Sequence, residues 1–181
     1  MRLNALLADP KLAHNEKKYS IKSSYEMNPI MTDNLLQAIE GRCKKFIFMS
    51  SISVYGEADR DSPVHVSTEP RPSTTYGFSK LSSEKIILNS RCPAVAILRL
   101  APVYDEKHLK DVKKRVFFPG QSVFKMKLIP TPHYSLCHID NLVKRVLSLL
   151  SHDFHPSKLV MNIVDPIPYS QHTLNSWFEG V

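Results

Sequence analysis

Phe46-Ile47-Phe48-Met49-Ser50-Ser51-Ile52-Ser53-Val54-Tyr55-Gly56 and, further along, Tyr76-Gly77-Phe78-Ser79-Lys80 are the stretches that decide how this chain folds and what chemistry it carries. Lys45 to Met49 is a short run with an apolar core, the pattern of a buried strand in a parallel sheet. Ser50 and Ser51 follow at its C-terminal end, where open α/β sheets bind ligands. Tyr76 and Lys80 are four residues apart, so a helix places them on one face, one turn from each other. A phenol titrates at about pH 10 in water, too high for ready acid–base work at neutral pH. A lysine ammonium held beside it favours the phenolate and lowers that value. A serine hydroxyl from another element can hold the reacting oxygen against the phenol. Together these groups suit moving a proton to or from a substrate hydroxyl or carbonyl.

Outward from this pair, helix and strand patterns alternate. Asn28-Pro29 reads as a helix start with Asn28 as cap, and Ile30, Leu35, Leu36 and Ile39 continue the helix until Gly41 ends it. Residues 9–18 read as a polar loop, and residues 57–73, with Pro63, Pro70 and Pro72, as a long loop of the length that often carries function. The Tyr76 helix runs on through Leu81, Ile86, Ile87 and Leu88, and Ala94 to Leu100 is the next strand. His138-Ile139-Asp140 leads into a helix of Leu142, Val143, Val146, Leu147 and Leu150, with Asp140 as its expected cap. Leu159 to Val164 is a further strand, and Ser170 caps a last helix ending near Trp177. Such alternation predicts an α/β fold with a parallel sheet.

With 181 residues, 43% of them hydrophobic and 23% charged, the chain can bury a sizeable core. Cys43, Cys92 and Cys137 are widely separated and odd in number, which suggests neither a disulfide framework nor a CxxC metal site; a reducing, cytoplasmic setting fits. No apolar stretch is long enough to span a bilayer, so no membrane partner is expected. A net charge of +7 suits attraction to a dinucleotide or nucleotide sugar, and equally an ordinary lysine-rich surface. The densest cluster, Lys107 to Arg115, has no interleaved aromatic residue for stacking bases, so nucleic acid is not expected. His152 and His155, beside Asp153 and Pro156, read as a polar loop, with no metal site expected.

Ser50-Ser51, then Val54-Tyr55-Gly56, then Tyr76-x-x-x-Lys80 resemble the extended short-chain dehydrogenase/reductase family, the NAD-dependent sugar-nucleotide epimerases and dehydratases. Three further blocks follow the family's order. Tyr25-Glu26-Met27-Asn28 resembles its helix that enters the site with an asparagine. Leu98 to Tyr104 resembles the strand-end segment beside the nicotinamide, and Cys137-His138-Ile139-Asp140-Asn141-Leu142 its late turn before a helix. The resemblance implies a partial Rossmann-like parallel sheet with flanking helices and a small C-terminal substrate-binding region. It implies one truncated domain over 1–181, with 1–104 and 140–165 as the sheet and helix core and 105–139 and 166–181 as the substrate-side region. It makes Ser51, Tyr76 and Lys80 catalytic, and it places Asn28, Ser50, Tyr76, Lys80, Ala101 and Val103 against the cofactor, NAD or NADP.

A dinucleotide's pyrophosphate needs closely spaced glycines at a strand-to-helix turn. The five glycines, Gly41, Gly56, Gly77, Gly120 and Gly180, are nowhere closer than fifteen residues. By the resemblance, Met1 falls where the fourth strand of a complete enzyme would end, and the phosphate-binding half is missing. Three functions stay open: an epimerase/dehydratase-type oxidoreductase of a nucleotide sugar, present as an N-terminally truncated chain; an inactive remnant or partner-binding module; and a reductase of a non-sugar, hydroxysteroid-like substrate. The last arises because Pro132-His133-Tyr134-Ser135 lacks the arginine that many family members carry before the late turn; Lys125 or Lys127 could supply the charge. A homodimer, or pairing with a missing N-terminal half, is the expected assembly.

Overall fold

The structure, a computed structural model, describes residues 21–56, 63–120 and 124–179, with residues 21–26 as backbone alone. The loop expected over residues 9–18 and residues 57–62 of the proline-bearing loop lie outside the described residues. In chain order the elements are α1 (Ile21–Ala38), β1 (Lys45–Ser51), a single 3₁₀ turn (Ile52–Tyr55), α2 (Thr75–Asn89), β2 (Ala94–Leu100), β3 (Val103–Tyr104) and α3 (Lys110–Val116). Then come β4 (His133–Tyr134), β5 (Cys137–His138), α4 (Ile139–Ser151), β6 (Lys158–Ile163), β7 (Tyr169–Ser170) and α5 (Gln171–Ser176). They divide between two units, Met1–Arg99 with Ser148–Asn162, and Leu100–Leu147 with Ile163–Val181.

The first unit is built on a parallel sheet in the order β1-β2-β6, so the fold is α/β. Successive side chains of a strand face opposite sides of its sheet. That rule puts Phe46 and Phe48 of β1 and Val95 and Ile97 of β2 on one face, where they pack with Leu36 of α1 and Ile87 of α2. Each such side chain contributes roughly 1.5–3 kcal/mol by leaving water. β2 is buried on both faces from Val95 to Leu98, as its apolar run implies, and Arg99 is buried with it. β1 differs from the expected fully buried strand: Phe46, Phe48 and Ser50 are buried, whereas Ile47, Met49 and Ser51 on the other face are half-buried.

α1 and α2 run parallel in a fixed register. Asn28 Nδ2 donates to Ser79 Oγ (3.1 Å) and Thr32 Oγ1 is 3.2 Å from Ser83 Oγ, while Arg91 reaches Glu40 at 3.0 Å beyond the helix ends. Partners in all three pairs are 51 positions apart, so the two helices advance together. This pairing explains a departure from the residue pattern: Asn28 lies inside α1 and is not its cap, with Pro29 within the helix. A proline there removes one helical hydrogen bond, and the contacts with α2 offset that loss. Thr32 Oγ1 also donates to the Asn28 carbonyl at 2.8 Å. Gly41, with φ +72°, turns the chain toward β1.

The second unit has two small pairings. β3 lies parallel to β5, with Val103 opposite Cys137, and β4 runs antiparallel to β7, with Tyr134 opposite Tyr169. Its core is Val112, Val116, Phe117, Leu136, Leu174 and Phe178. Ser170 caps α5, its Oγ accepting from Thr173 N at 3.0 Å. α4 starts two residues earlier than its sequence suggests: Asp140 sits in the first turn, and His138 Nδ1 accepts from the Asp140 N–H at 3.3 Å.

Asp165 organises this unit. Its Oδ1 accepts from His138 N (2.9 Å) and Asn141 Nδ2 (2.7 Å), and the hydroxyls of Tyr104 and Tyr169 reach Oδ2 at 3.0 and 3.1 Å. Burial alone would raise the carboxyl pKa, but these four bonds outweigh it and hold the group below its ordinary range. A lowered folded-state pKa stabilises the fold above the unfolded value, about pH 4, and that stability is lost as pH falls through the folded-state value. The single tryptophan, Trp177, packs on Tyr104 at a centroid distance of 5.4 Å and can report the change. Acid titration followed by Trp177 fluorescence should show the wild-type unit loosening below about pH 4. Asp165→Asn should be less stable at neutral pH and lose less on acidification; an unchanged acid limb would remove Asp165 as its cause.

Candidate active site

Ser51 ends β1 and caps the 3₁₀ turn, its Oγ accepting from Ser53 N at 3.1 Å. Tyr76 is in the first turn of α2, whose start is set by Thr74 Oγ1 accepting from Gly77 N at 3.1 Å. A Cβ on Gly77 would lie 2.4 Å from the Ser53 carbonyl oxygen, so glycine is what lets α2 meet the 3₁₀ turn. That approach brings Tyr76 near enough to the Ser51 side chain for the serine to favour the phenolate. Lys80, one turn on, donates from Nζ to the Met49 carbonyl at 2.9 Å. The same nitrogen sits 4.8 Å from the Phe48 ring centroid and 5.8 Å from that of Tyr76. Ser51, Tyr76 and Lys80 therefore converge at the C-terminal end of β1.

The electrostatics depart from the simple expectation that Lys80 lowers the Tyr76 pKa. Burial raises the Tyr76 phenol above its ordinary value, and the nearby Ser51 side chain only partly counters this. Burial also lowers the Lys80 ammonium, against a partial opposing pull from Glu84. The reason is geometric. Lys80 lies over aromatic faces with a proton on a backbone carbonyl, and does not point at the phenolic oxygen. In this state Tyr76 is a protonated phenol at neutral pH.

Beneath the cluster lies a buried polar chain. Ser50 and Arg99 occupy the next positions, on the same face, after Phe48 and Ile97, and both reach Glu84 of α2. Ser50 Oγ donates to Glu84 Oε1 at 2.5 Å, and Arg99 donates to the carboxylate from Nε (3.1 Å) and Nη2 (2.7 Å). Arg99 Nη1 continues to the Tyr55 hydroxyl (2.8 Å), which donates to Asn162 Oδ1 (2.7 Å). Glu84 is 1% exposed and Arg99 6%. The arginine inside Ala94-Val95-Ala96-Ile97-Leu98-Arg99-Leu100 was the available signal: a cation in a buried strand needs a buried anion. Tyr55 and Asn162 carry no such mark in the sequence.

The residues expected at the cofactor are placed variously. Ser50 is 3% exposed and engaged with Glu84, and the Asn28 amide nitrogen is engaged with Ser79. Ala101 and Val103 belong to the second unit. Ala101 is 1% exposed with its N–H on the Ile163 carbonyl at 3.0 Å, and Val103 lies in β3.

A parallel α/β sheet with polar side chains gathered at the C-terminal end of a strand is the arrangement in which open α/β folds bind ligands. Residues 7–163 match the NAD dependent epimerase/dehydratase family model, and this chain belongs to that family. It is 31% identical over 139 residues to UDP-glucose 4-epimerase of Vibrio cholerae, which covers 70% of this chain and 40% of that protein. It is 32% identical over 81 residues to dTDP-4-dehydrorhamnose reductase of Mycolicibacterium smegmatis, covering 45% of this chain and 24% of that protein. The chain thus spans less than half the length of these curated relatives. Among solved structures, the UDP-glucuronic acid 4-epimerase of Bacillus cereus in complex with UDP-glucuronic acid and NAD superposes with a TM-score of 0.63 at 25% identity, over 81% of this chain and 48% of that one. The fold of the UDP-Glc/GlcNAc 4-epimerase of Campylobacter jejuni matches at a TM-score of 0.66 over 95% of this chain and 58% of that one, at 22% identity.

Two expectations are open to measurement. Glu84→Ala leaves Arg99 buried without its counter-ion and should cost about 3–5 kcal/mol in urea unfolding, whereas Glu84→Met with Arg99→Met should recover much of that. Equal losses in the single and double variants would argue against the ion pair as the source. Spectrophotometric titration of tyrosinate should show Ser51→Ala raising the Tyr76 value further, and more than Lys80→Met does. The reverse order would mean that Lys80 sets the phenol.

Proposed function

We propose that this chain carries the proton-transfer residues of an NAD(P)-dependent epimerase/dehydratase-type oxidoreductase acting on a nucleotide sugar. The observation that supports this most is the convergence of Ser51, Tyr76 and Lys80 at the end of β1 in a chain of the epimerase/dehydratase family. The donor set suits the ribose end of a dinucleotide: the Lys80 ammonium, one proton on Met49 and 5.8 Å from the Tyr76 ring centroid, has further protons for a diol. Bound nicotinamide supplies the hydride acceptor and donor. Tyr76 holds the transferable proton at its hydroxyl, which burial keeps protonated until a sugar oxygen approaches. Ser51 orients that oxygen, and Lys80 holds the ribose and supplies positive charge to the phenolate as it forms. Asn28, Ser50, Ala101 and Val103 complete the set of residues assigned to the cofactor.

The division of labour follows the sheet and helix core at 1–104 and 140–165 and a substrate-side region at 105–139 and 166–181. The second unit offers a half-buried cation for the sugar's diphosphate: Arg115 lies 5.6 Å over the Tyr134 ring. Lys125 is engaged with the Asn175 carbonyl at 3.0 Å, which leaves Arg115 and Lys127 as the better candidates. The glycine-rich turn for the pyrophosphate comes from outside these 181 residues, on a preceding segment or a partner chain, and the protein works in the cytoplasm. One observation favours the second reading, a partner-binding module, for the 181 residues acting alone: no two glycines are spaced to cradle a pyrophosphate.

The test is turnover of UDP-glucose with NAD, measured beside NAD binding, for the wild type and Tyr76→Phe. The expected result is a kcat lower by about 10²–10⁴-fold in Tyr76→Phe, with NAD affinity nearly intact. Retention of most activity would refute Tyr76 as acid/base. Absence of both binding and turnover in the wild-type chain would favour the module.

A further inference from the structure

Cys43 and Cys92, far apart in the sequence, meet in the first unit with their Sγ atoms 3.3 Å apart. Cys43 follows α1 and its Sγ donates to the Lys45 carbonyl at 3.1 Å. Cys92 follows α2, with its Sγ 3.5 Å from the Ala94 carbonyl. Lys45 and Ala94 are the first residues of the neighbouring strands β1 and β2. The two thiols therefore sit side by side at the N-terminal ends of these strands, the opposite end from Ser50 and Ser51. Both are free and half-buried, within reach of a small reagent, whereas Cys137 is fully buried.

We propose that Cys43 and Cys92 form a redox modification site that closes to an intramolecular disulfide when the protein meets a low-molecular-weight disulfide. Both cysteines lie in the short connections between helix and strand, where modest side-chain rotation can bring the sulfurs from 3.3 Å to the roughly 2 Å of a disulfide bond. Burial, with the neighbouring Cys92 adding to it, pushes the Cys43 thiol up to about 12, so Cys43 is the poorer first nucleophile. The Cys92 thiolate attacks one sulfur of the oxidant and the other sulfur leaves as a thiolate. Cys43 then loses its proton, attacks the Cys92 sulfur of the mixed disulfide and expels the second thiolate. The protein gives up two electrons and two protons, and the oxidant leaves as two thiols.

The loop so closed runs from Cys43 to Cys92 and contains Ser51, Tyr76 and Lys80. A cross-link of that span restricts the unfolded chain, so the oxidised protein should melt higher while the strand ends that carry the candidate site are left untouched.

The full chain would be incubated with oxidised glutathione, alkylated, digested and analysed by mass spectrometry, with Cys43→Ser in parallel. The expected product joins the Cys43 and Cys92 peptides, lighter than their sum by two hydrogen atoms and reversed by dithiothreitol, with a raised Tm. Cys43→Ser should stop at a glutathione adduct on Cys92 with no rise in Tm. Wild-type protein that keeps both thiols alkylatable, carries a separate glutathione on each, or links two chains would overturn the proposal, whether or not the variant folds.

Discussion

The Glu84 carboxylate, buried between Ser50 of β1 and Arg99 of β2, is the contact on which the first unit's geometry depends. A charge taken out of water is costly unless it is paired and its remaining lone pairs are bonded. Here both conditions are met by groups from two strands, so α2 has one low-energy position along the sheet. Tyr76 and Lys80 lie two turns and one turn before Glu84 on the same helix, and their height relative to Ser51 follows from it. A pair of this kind adds less to stability than well-packed apolar residues would. Its contribution is register.

Register is reinforced from the other side of α2. Asn28 and Thr32 of α1 meet Ser79 and Ser83 of α2 at equal spacing, so a slip of either helix would break two bonds together. Gly77 adds a steric condition, since any side chain there would strike the Ser53 carbonyl. Three devices of different physical kinds, one ionic, one hydrogen-bonded and one steric, thus hold the phenol against the serine. The second unit uses a comparable logic on a smaller scale, with Asp165 gathering the start of α4 and two tyrosines around one carboxylate.

The resting electrostatics of the cluster follow from burial more than from charge. The phenol is raised and the ammonium lowered, because each is penalised for ionising away from water.

Much of this was legible in the residues. Periodicity identified the sheet strands and main helices: the Ala94–Leu100 strand matches its expected bounds, and Ser170 caps α5 as its residue type suggests. The four-residue spacing of Tyr76 and Lys80, and the serines at a strand end, marked the candidate site. The cap assigned to Asn28 and the start of α4 at Asp140 failed because local propensity was overruled by partners distant in sequence: Ser79 in one case, and the Asp165 cluster holding His138 in the other. The sequence by itself determined which residues share a face, because the periods of helix and strand are properties of the backbone. Only the tertiary structure decided that Ser50 turns to Glu84, that Lys80 faces Met49, and that Cys43 meets Cys92. Those outcomes depend on which faces are pressed together, and local spacing carries no record of that.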